Sequence, residues 1–117
     1  MNEGEDIINE LRGQYIRGTT DRLRRIGEML DDLESMPSDF ALIADSLEEL
    51  KRQFHSLVGS GRTYGFPGVT TIASRVEAEC AMLQAQNQSP ASDDLNRWRE
   101  KLAELKREVW PQPEKQE

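Results

Sequence analysis

The chain has one cysteine and one histidine among 117 residues. A lone cysteine excludes an intramolecular disulfide framework and fits a reducing compartment. One histidine beside one cysteine is too few nitrogen and sulfur ligands for a zinc site, so no metal site is expected. No apolar run approaches the ~20 residues that cross a bilayer, so no membrane partner is expected. Basic residues are in deficit, 15 Lys and Arg against 22 Asp and Glu, a formal net charge of −7. A nucleic-acid binder needs a basic face to displace counterions, so nucleic acid is not expected as a partner either. The opening residues, MNEGEDIINE, are acidic. They match neither a secretory signal nor a transit peptide, and a cytoplasmic location is expected.

Strand patterning is missing too, because nothing alternates with period two over a useful length. What is present is helical spacing. Ile8, Leu11, Tyr15, Leu23, Ile26, Leu30 and Leu33 form one face of a helix over roughly residues 5–35, with a gap at Thr19. Gly18 makes a kink or break there possible. Met36-Pro37-Ser38-Asp39 reads as a turn with Ser38 as N-cap. A second helix is expected from Asp39 to Gly59 or Gly61, burying Ile43, Leu47, Leu50, Phe54 and Leu57. Pro67 suits the first position of a third helix, since its missing N–H would be unpaired there. That helix buries Val69, Ile72, Ala73, Val76, Cys80 and Leu83 and ends near Asn87. Ser89-Pro90 is expected to open a fourth in the same way, with Leu95, Trp98, Leu102, Leu105 and Val109 as its buried face. The expected fold is all-α, an antiparallel up-down-up-down four-helix bundle over residues 1–110. Pro111 and Pro113 then stop the last helix, and residues 111–117 read as a polar tail or linker. Each apolar stripe is needed inside the bundle, so a monomer is expected.

Charge is unevenly spread. Between Leu50 and Val76 stand Lys51, Arg52, Arg62 and Arg75 and no acid, whereas the other 90 residues hold 11 basic and 22 acidic side chains. Either this window is a small cationic patch suited to an anion, or Gly, Ser and Thr merely displaced acids from a loop. His55 lies inside it, next to the core-facing Phe54. Helical positions turn by about 100° per residue, so His55 falls on the flank, exposed. Gly59 follows one turn later and costs helix stability. It either admits a close approach by another surface or marks the fraying helix end. An exposed imidazole is a competent nucleophile near neutral pH, but a lone histidine is more often an ordinary surface or core-edge residue. No nucleophile elbow, P-loop lysine or dinucleotide fingerprint accompanies it. Cys80 sits on a buried stripe, where an inert packed thiol is expected.

The stretch HSLVGSGRTYGFP, from His55 to Pro67, resembles the signature of histidine-containing phosphotransfer (HPt) domains. The resemblance continues through Val69, Ile72, Ala73 and Val76-Glu77, and is strongest to the phosphotransfer domain of the bacterial chemotaxis histidine kinase. It implies a phosphorelay carrier, and not a stand-alone kinase, that takes a phosphoryl group on His55 from the aspartyl phosphate of a response-regulator receiver domain and passes it on. It implies further that Gly59 marks the receiver's closest approach, that Arg52 is the basic position one turn before the histidine, and that Glu77 bonds the histidine's other ring nitrogen. Lys51 and Arg62 would add positive charge at the docking face. No cofactor is implied in this domain, the magnesium being the receiver's. One position departs from the pattern: Val58 stands where the family usually has Lys. That substitution leaves open a second reading, a non-catalytic helical module that binds a receiver or histidine kinase without phosphotransfer. Direct phosphorylation by a kinase is a third.

Overall fold

A computed structural model describes residues 3–110. Four α-helices follow in order: α1 (Glu3–Ser35), α2 (Phe40–Tyr64), α3 (Pro67–Gln86) and α4 (Ser92–Val109). The helices close a ring in which α1 meets α2, α2 meets α3, α3 meets α4 and α4 meets α1. No diagonal pair among the described residues brings Cα atoms within 8 Å. This is the expected all-α four-helix bundle. The expected tail at 111–117 lies outside the described residues.

Each helix gives one stripe to the core. Leu23, Ile26 and Leu30 of α1 face Leu47, Leu50, Phe54 and Leu57 of α2, Val69, Ala73 and Val76 of α3, and Trp98 and Leu105 of α4, all at most 1% exposed. Complete burial of such a side chain stabilises by roughly 1.5–3 kcal/mol, so these stripes hold the bundle together. Trp98 is the largest, and its one polar atom is satisfied: Nε1–H donates to the Glu79 carboxylate at 2.7 Å. Arg97 donates to the same carboxylate at 3.0 Å, which ties α4 to the outer flank of α3.

Several local expectations need correction. α1 is unbroken through Gly13, Gly18 and Gly27. The gap at Thr19 is no gap, because Thr19 is itself buried and carries the stripe from Tyr15 to Leu23. Ile8 and Leu11, expected in the core, are 57% and 45% exposed. The reason is length: α1 has 33 residues against 25, 20 and 18 in the other helices. Arg12 already reaches the α2–α3 turn, where it donates to the Gly65 carbonyl at 3.4 Å and lies over the Phe66 ring. The turns before it overhang the bundle.

Asp39, not Ser38, caps α2; its carboxylate accepts from the Ala41 amide at 3.0 Å. α2 does not stop at Gly59 or Gly61 but runs to Tyr64. Gly65, with φ of 82°, ends it in the left-handed conformation that glycine adopts without strain. α3 opens at Pro67 and ends at Asn87 as expected, although Ile72 and Leu83 are only half-buried. α4 opens at Ser92 and not at Pro90. Ala91 is its cap position, and its amide donates to the Asp94 carboxylate at 2.8 Å.

Cys80 packs wholly inside the core, and burial pushes its thiol up to about 12. The folded protein should resist iodoacetamide at pH 8 and react readily once guanidinium unfolds it, where an ordinary thiol ionises near ~8.5. The folded state keeps the proton that the unfolded chain releases, so this thiol contributes a loss of stability as pH rises above ~8.5. Rapid labelling under native conditions would show the core to be open at α3.

Candidate functional site

α2 and α3 run antiparallel, and their shared outer edge carries a ladder of cross-helix polar contacts. Gln84 of α3 donates to Glu48 of α2 at 2.7 Å. One level along, His55 Nδ1 lies 2.7 Å from Glu77 Oε2. Nearer the α2–α3 turn, the Thr70 hydroxyl donates to the Val58 carbonyl at 2.9 Å. The core stripe places this edge. Phe54 is fully buried, so the next residue is turned onto the flank, and Val76 does the same for Glu77 on α3.

The His55 side chain is 73% exposed and the Glu77 side chain 27%. A carboxylate without its proton can only accept, so the hydrogen of this contact sits on Nδ1. With Nδ1–H committed to Glu77, the lone pair of the neutral ring is on Nε2, which faces outward. This arrangement sets the tautomer and leaves Nε2 available as a nucleophile. Such a site can take up and release an electrophilic group.

Gly59 lies within α2, so the reading of a frayed end does not hold. It is exposed, and a Cβ built on it would meet nothing within 4 Å. Nothing inside the bundle requires a glycine there, and the bare backbone leaves open surface one turn from the imidazole. Val58 is half-buried and packs against the core, so the position three residues after His55 belongs partly to the hydrophobic interior.

The cations of the acid-free window do not converge on His55. Lys51 pairs with Glu48 at 3.3 Å, and Arg52 pairs with Glu49 at 2.6 Å and Glu48 at 3.3 Å. The Gln84 amide, then Lys51 and Arg52, hold the Glu48 carboxyl below its ordinary value. Arg75 lies on the flank of α3 that carries Glu79 one turn on, and Glu79 bonds α4. That is the side away from α2. Arg62 is exposed, shares the His55 flank seven residues on, and has no carboxylate partner among the described residues. A stretch without acids in sequence is therefore flanked by acids in space, and Arg62 is the window's uncompensated charge on this edge. Among the described residues no group of three or more His, Cys, Asp or Glu side chains could hold a metal ion. No helix among them is long and apolar enough to cross a membrane.

Two residues absent from the expected site stand beneath this edge. Gly61 is buried, and Thr70 packs directly against it. The signal was available: Phe54, Leu57 and Gly61 continue the three-four spacing of the α2 stripe. A glycine read as a helix breaker hid it.

A family model described as the Hpt domain matches residues 3–108. No curated protein and no solved structure matches the chain.

The Glu77 contact makes a spectroscopic prediction. Long-range ¹H–¹⁵N spectra of neutral His55 should show the Nδ1–H tautomer predominating, and Glu77→Ala should return the ring to a mixture rich in Nε2–H. An unchanged pattern in Glu77→Ala would mean that the carboxylate does not set the tautomer.

Proposed function

The chain belongs to the Hpt domain family, whose members carry out histidine phosphotransfer in phosphorelays with receiver domains and kinases, and from that premise we propose that His55 is its phosphoryl acceptor. The observation that carries this reading is the 2.7 Å contact of Nδ1 with Glu77 on a side chain left 73% exposed. It leaves Nε2 as the free nucleophilic nitrogen, facing solvent where a partner can reach it.

In the proposed transfer, the Nε2 lone pair attacks phosphorus in the aspartyl phosphate of a receiver. The N–P bond forms as the P–O bond to the aspartate breaks, and the aspartate leaves as carboxylate with the bonding pair. The ring gains positive charge, which the Glu77 carboxylate stabilises through Nδ1–H. Passing the group to another receiver is the same step reversed. Catalysis of this kind is mostly positioning and charge neutralisation, so few groups are needed on the carrier. The receiver supplies the magnesium, and this domain binds no cofactor of its own. We place the receiver over the outer edge of α2 and α3, with Gly59 at its closest approach.

Val58 removes the cation that the family usually carries three residues after the histidine. Arg62 takes its electrostatic part in this proposal, because Lys51 and Arg52 already face Glu48 and Glu49. Exposed pairs of that sort are weak, about 0–1 kcal/mol, but they cancel field at the site even where they add little stability. Val58 also supports a second reading, a bundle that binds receivers without accepting phosphate.

Three outcomes test the proposal. His55→Gln should abolish acid-labile labelling by a phosphorylated receiver while helicity is kept; persistent labelling would overturn the assignment, and receiver binding with no labelling of the wild type would favour the second reading. Arg62→Ala should slow transfer about tenfold, below the 10²–10³ lost with a donor aimed directly at a developing charge, whereas Lys51→Ala and Arg52→Ala should stay within about twofold.

Gly59 separates docking from folding. Gly59→Ala should stabilise the bundle by about 1 kcal/mol, since the helix gains and no atom is crowded. Gly59→Arg should fold equally well, block transfer from the receiver and leave labelling by the small donor phosphoramidate intact. Equal loss with both donors would place the effect on His55 itself and not on receiver approach.

A further inference from the structure

Gly61 and Thr70 form a tight point between α2 and α3. A Cβ on Gly61 would lie 2.6 Å from the Thr70 hydroxyl oxygen and 3.0 Å from both the Phe66 carbonyl and the Thr70 amide nitrogen. Two of those three atoms are backbone and cannot rotate aside. Only glycine at 61 lets the first turn of α3 rest on α2 at this distance. Into the notch goes the Thr70 side chain, and its hydroxyl donates to the Val58 carbonyl at 2.9 Å. The acceptor is main chain, which has no rotamer to adjust. This bond therefore ties a side chain of α3 to a fixed point on the α2 backbone, and so fixes how far one helix slides along the other.

The distances along the helices connect this point to His55. From Gly61 back to His55 is six residues, about 9 Å of rise, and from Thr70 on to Glu77 is seven, about 10.5 Å. The two spans match to about one residue's rise, so seating Thr70 against Gly61 brings Glu77 level with the imidazole. The His55–Glu77 contact cannot set that register itself. It is a surface contact, weak in water and screened by salt. The part-buried contact of Thr70 with Gly61 and Val58, nearly two turns away, is placed to hold that register.

We propose that Thr70, seated against Gly61 and bonded to the Val58 carbonyl, is a positioning residue that holds Glu77 on His55 Nδ1 and thereby keeps Nε2 the nucleophilic nitrogen. The consequence for transfer rests on the reading of His55 as phosphoryl acceptor; the consequence for the ring's tautomer does not.

The test compares Thr70→Val, which keeps shape and branching but loses the donor, with Thr70→Ser, which keeps the donor. Both are judged folded by helical circular dichroism. In Thr70→Val the Nδ1–H to Nε2–H ratio of neutral His55, read by long-range ¹H–¹⁵N spectra, should fall about tenfold. Labelling by phosphoramidate should slow by a similar factor, short of the ~100-fold that a 1 Å misplacement can cost. Thr70→Ser should restore both. A merely structural threonine would lower the melting temperature and leave the tautomer ratio unchanged. A folded Thr70→Val with the wild-type ratio, or a Thr70→Ser that fails to restore it, would overturn the proposal. Should the added methyl prevent folding, Thr70→Ala carries the same expectations and is read in the same way. If the wild type takes no phosphoryl group at His55, the acceptor reading fails and the tautomer ratio alone still decides the positioning role.

Discussion

The geometry of the exposed edge depends on how closely α2 and α3 approach beneath it. An imidazole that is 73% exposed has one polar contact, to Glu77, so its setting depends on the backbones that carry the two side chains. Those backbones are pinned from inside. Phe54 and Leu57 of α2 and Val69, Ala73 and Val76 of α3 are essentially inaccessible, and the missing side chain at Gly61 sets their distance near the turn. The magnitudes give the order of cause. Each buried side chain contributes roughly 1.5–3 kcal/mol, whereas an exposed ion pair contributes about 0–1 kcal/mol. The apolar packing sets the approach of α2 and α3, and the polar ladder acts on an arrangement already close to its final form.

Two glycines two residues apart show how one helix serves both requirements. At 100° per residue, positions 59 and 61 look about 200° apart around α2. One faces solvent, with nothing within 4 Å of its missing Cβ; the other faces α3, with backbone atoms at 3.0 Å. Gly61 is used by the protein's own packing. Gly59 has nothing within 4 Å of its missing Cβ, so its cost to the helix calls for an external explanation, and the proposed approach of a partner to the nearby Nε2 would supply one.

Much of this was legible in the sequence, and the exceptions have a common cause. Spacings of three and four identified four helices and nearly all of the core, because burial of a stripe is a property of one helix at a time. The neighbourhood of His55 and Glu77 was reached through the resemblance of His55–Pro67 to a family signature; spacing alone favours an ordinary exposed helical acid at Glu77. The misreadings arose where the answer depended on another helix. Ile8 and Leu11 continue the α1 stripe faithfully, but no other helix is long enough to cover them. Gly59 and Gly61 look like breakers until α2 is seen to continue beneath α3 to Gly65. Lys51 and Arg52 count as a basic patch in a linear window, yet a helix brings Glu48 and Glu49 against them at one-turn spacing.

That last pairing bears on what a carrier must do. A group that is taken up and given away by the same nitrogen should not be bound too well, because stabilising the phosphohistidine as much as the transition state lowers the energy of the intermediate without speeding its departure. A crowd of unpaired cations around His55 would do that. In the bundle two of the nearest are offset by carboxylates, one lies on the opposite flank of α3, and Arg62 stands about two turns along α2, nearer the α2–α3 turn. The surroundings of the ring are then dominated by one carboxylate on Nδ1. In the proposed transfer Glu77 would favour the charge that builds on the imidazole as the N–P bond forms, and its hold would weaken as that bond breaks and the ring returns to neutral. One carboxylate on Nδ1 with a single more distant cation, Arg62, suits transfer in either direction better than a crowd of unpaired cations, and on this view the Val58 position, drawn into the core and without charge, is compatible with an active carrier.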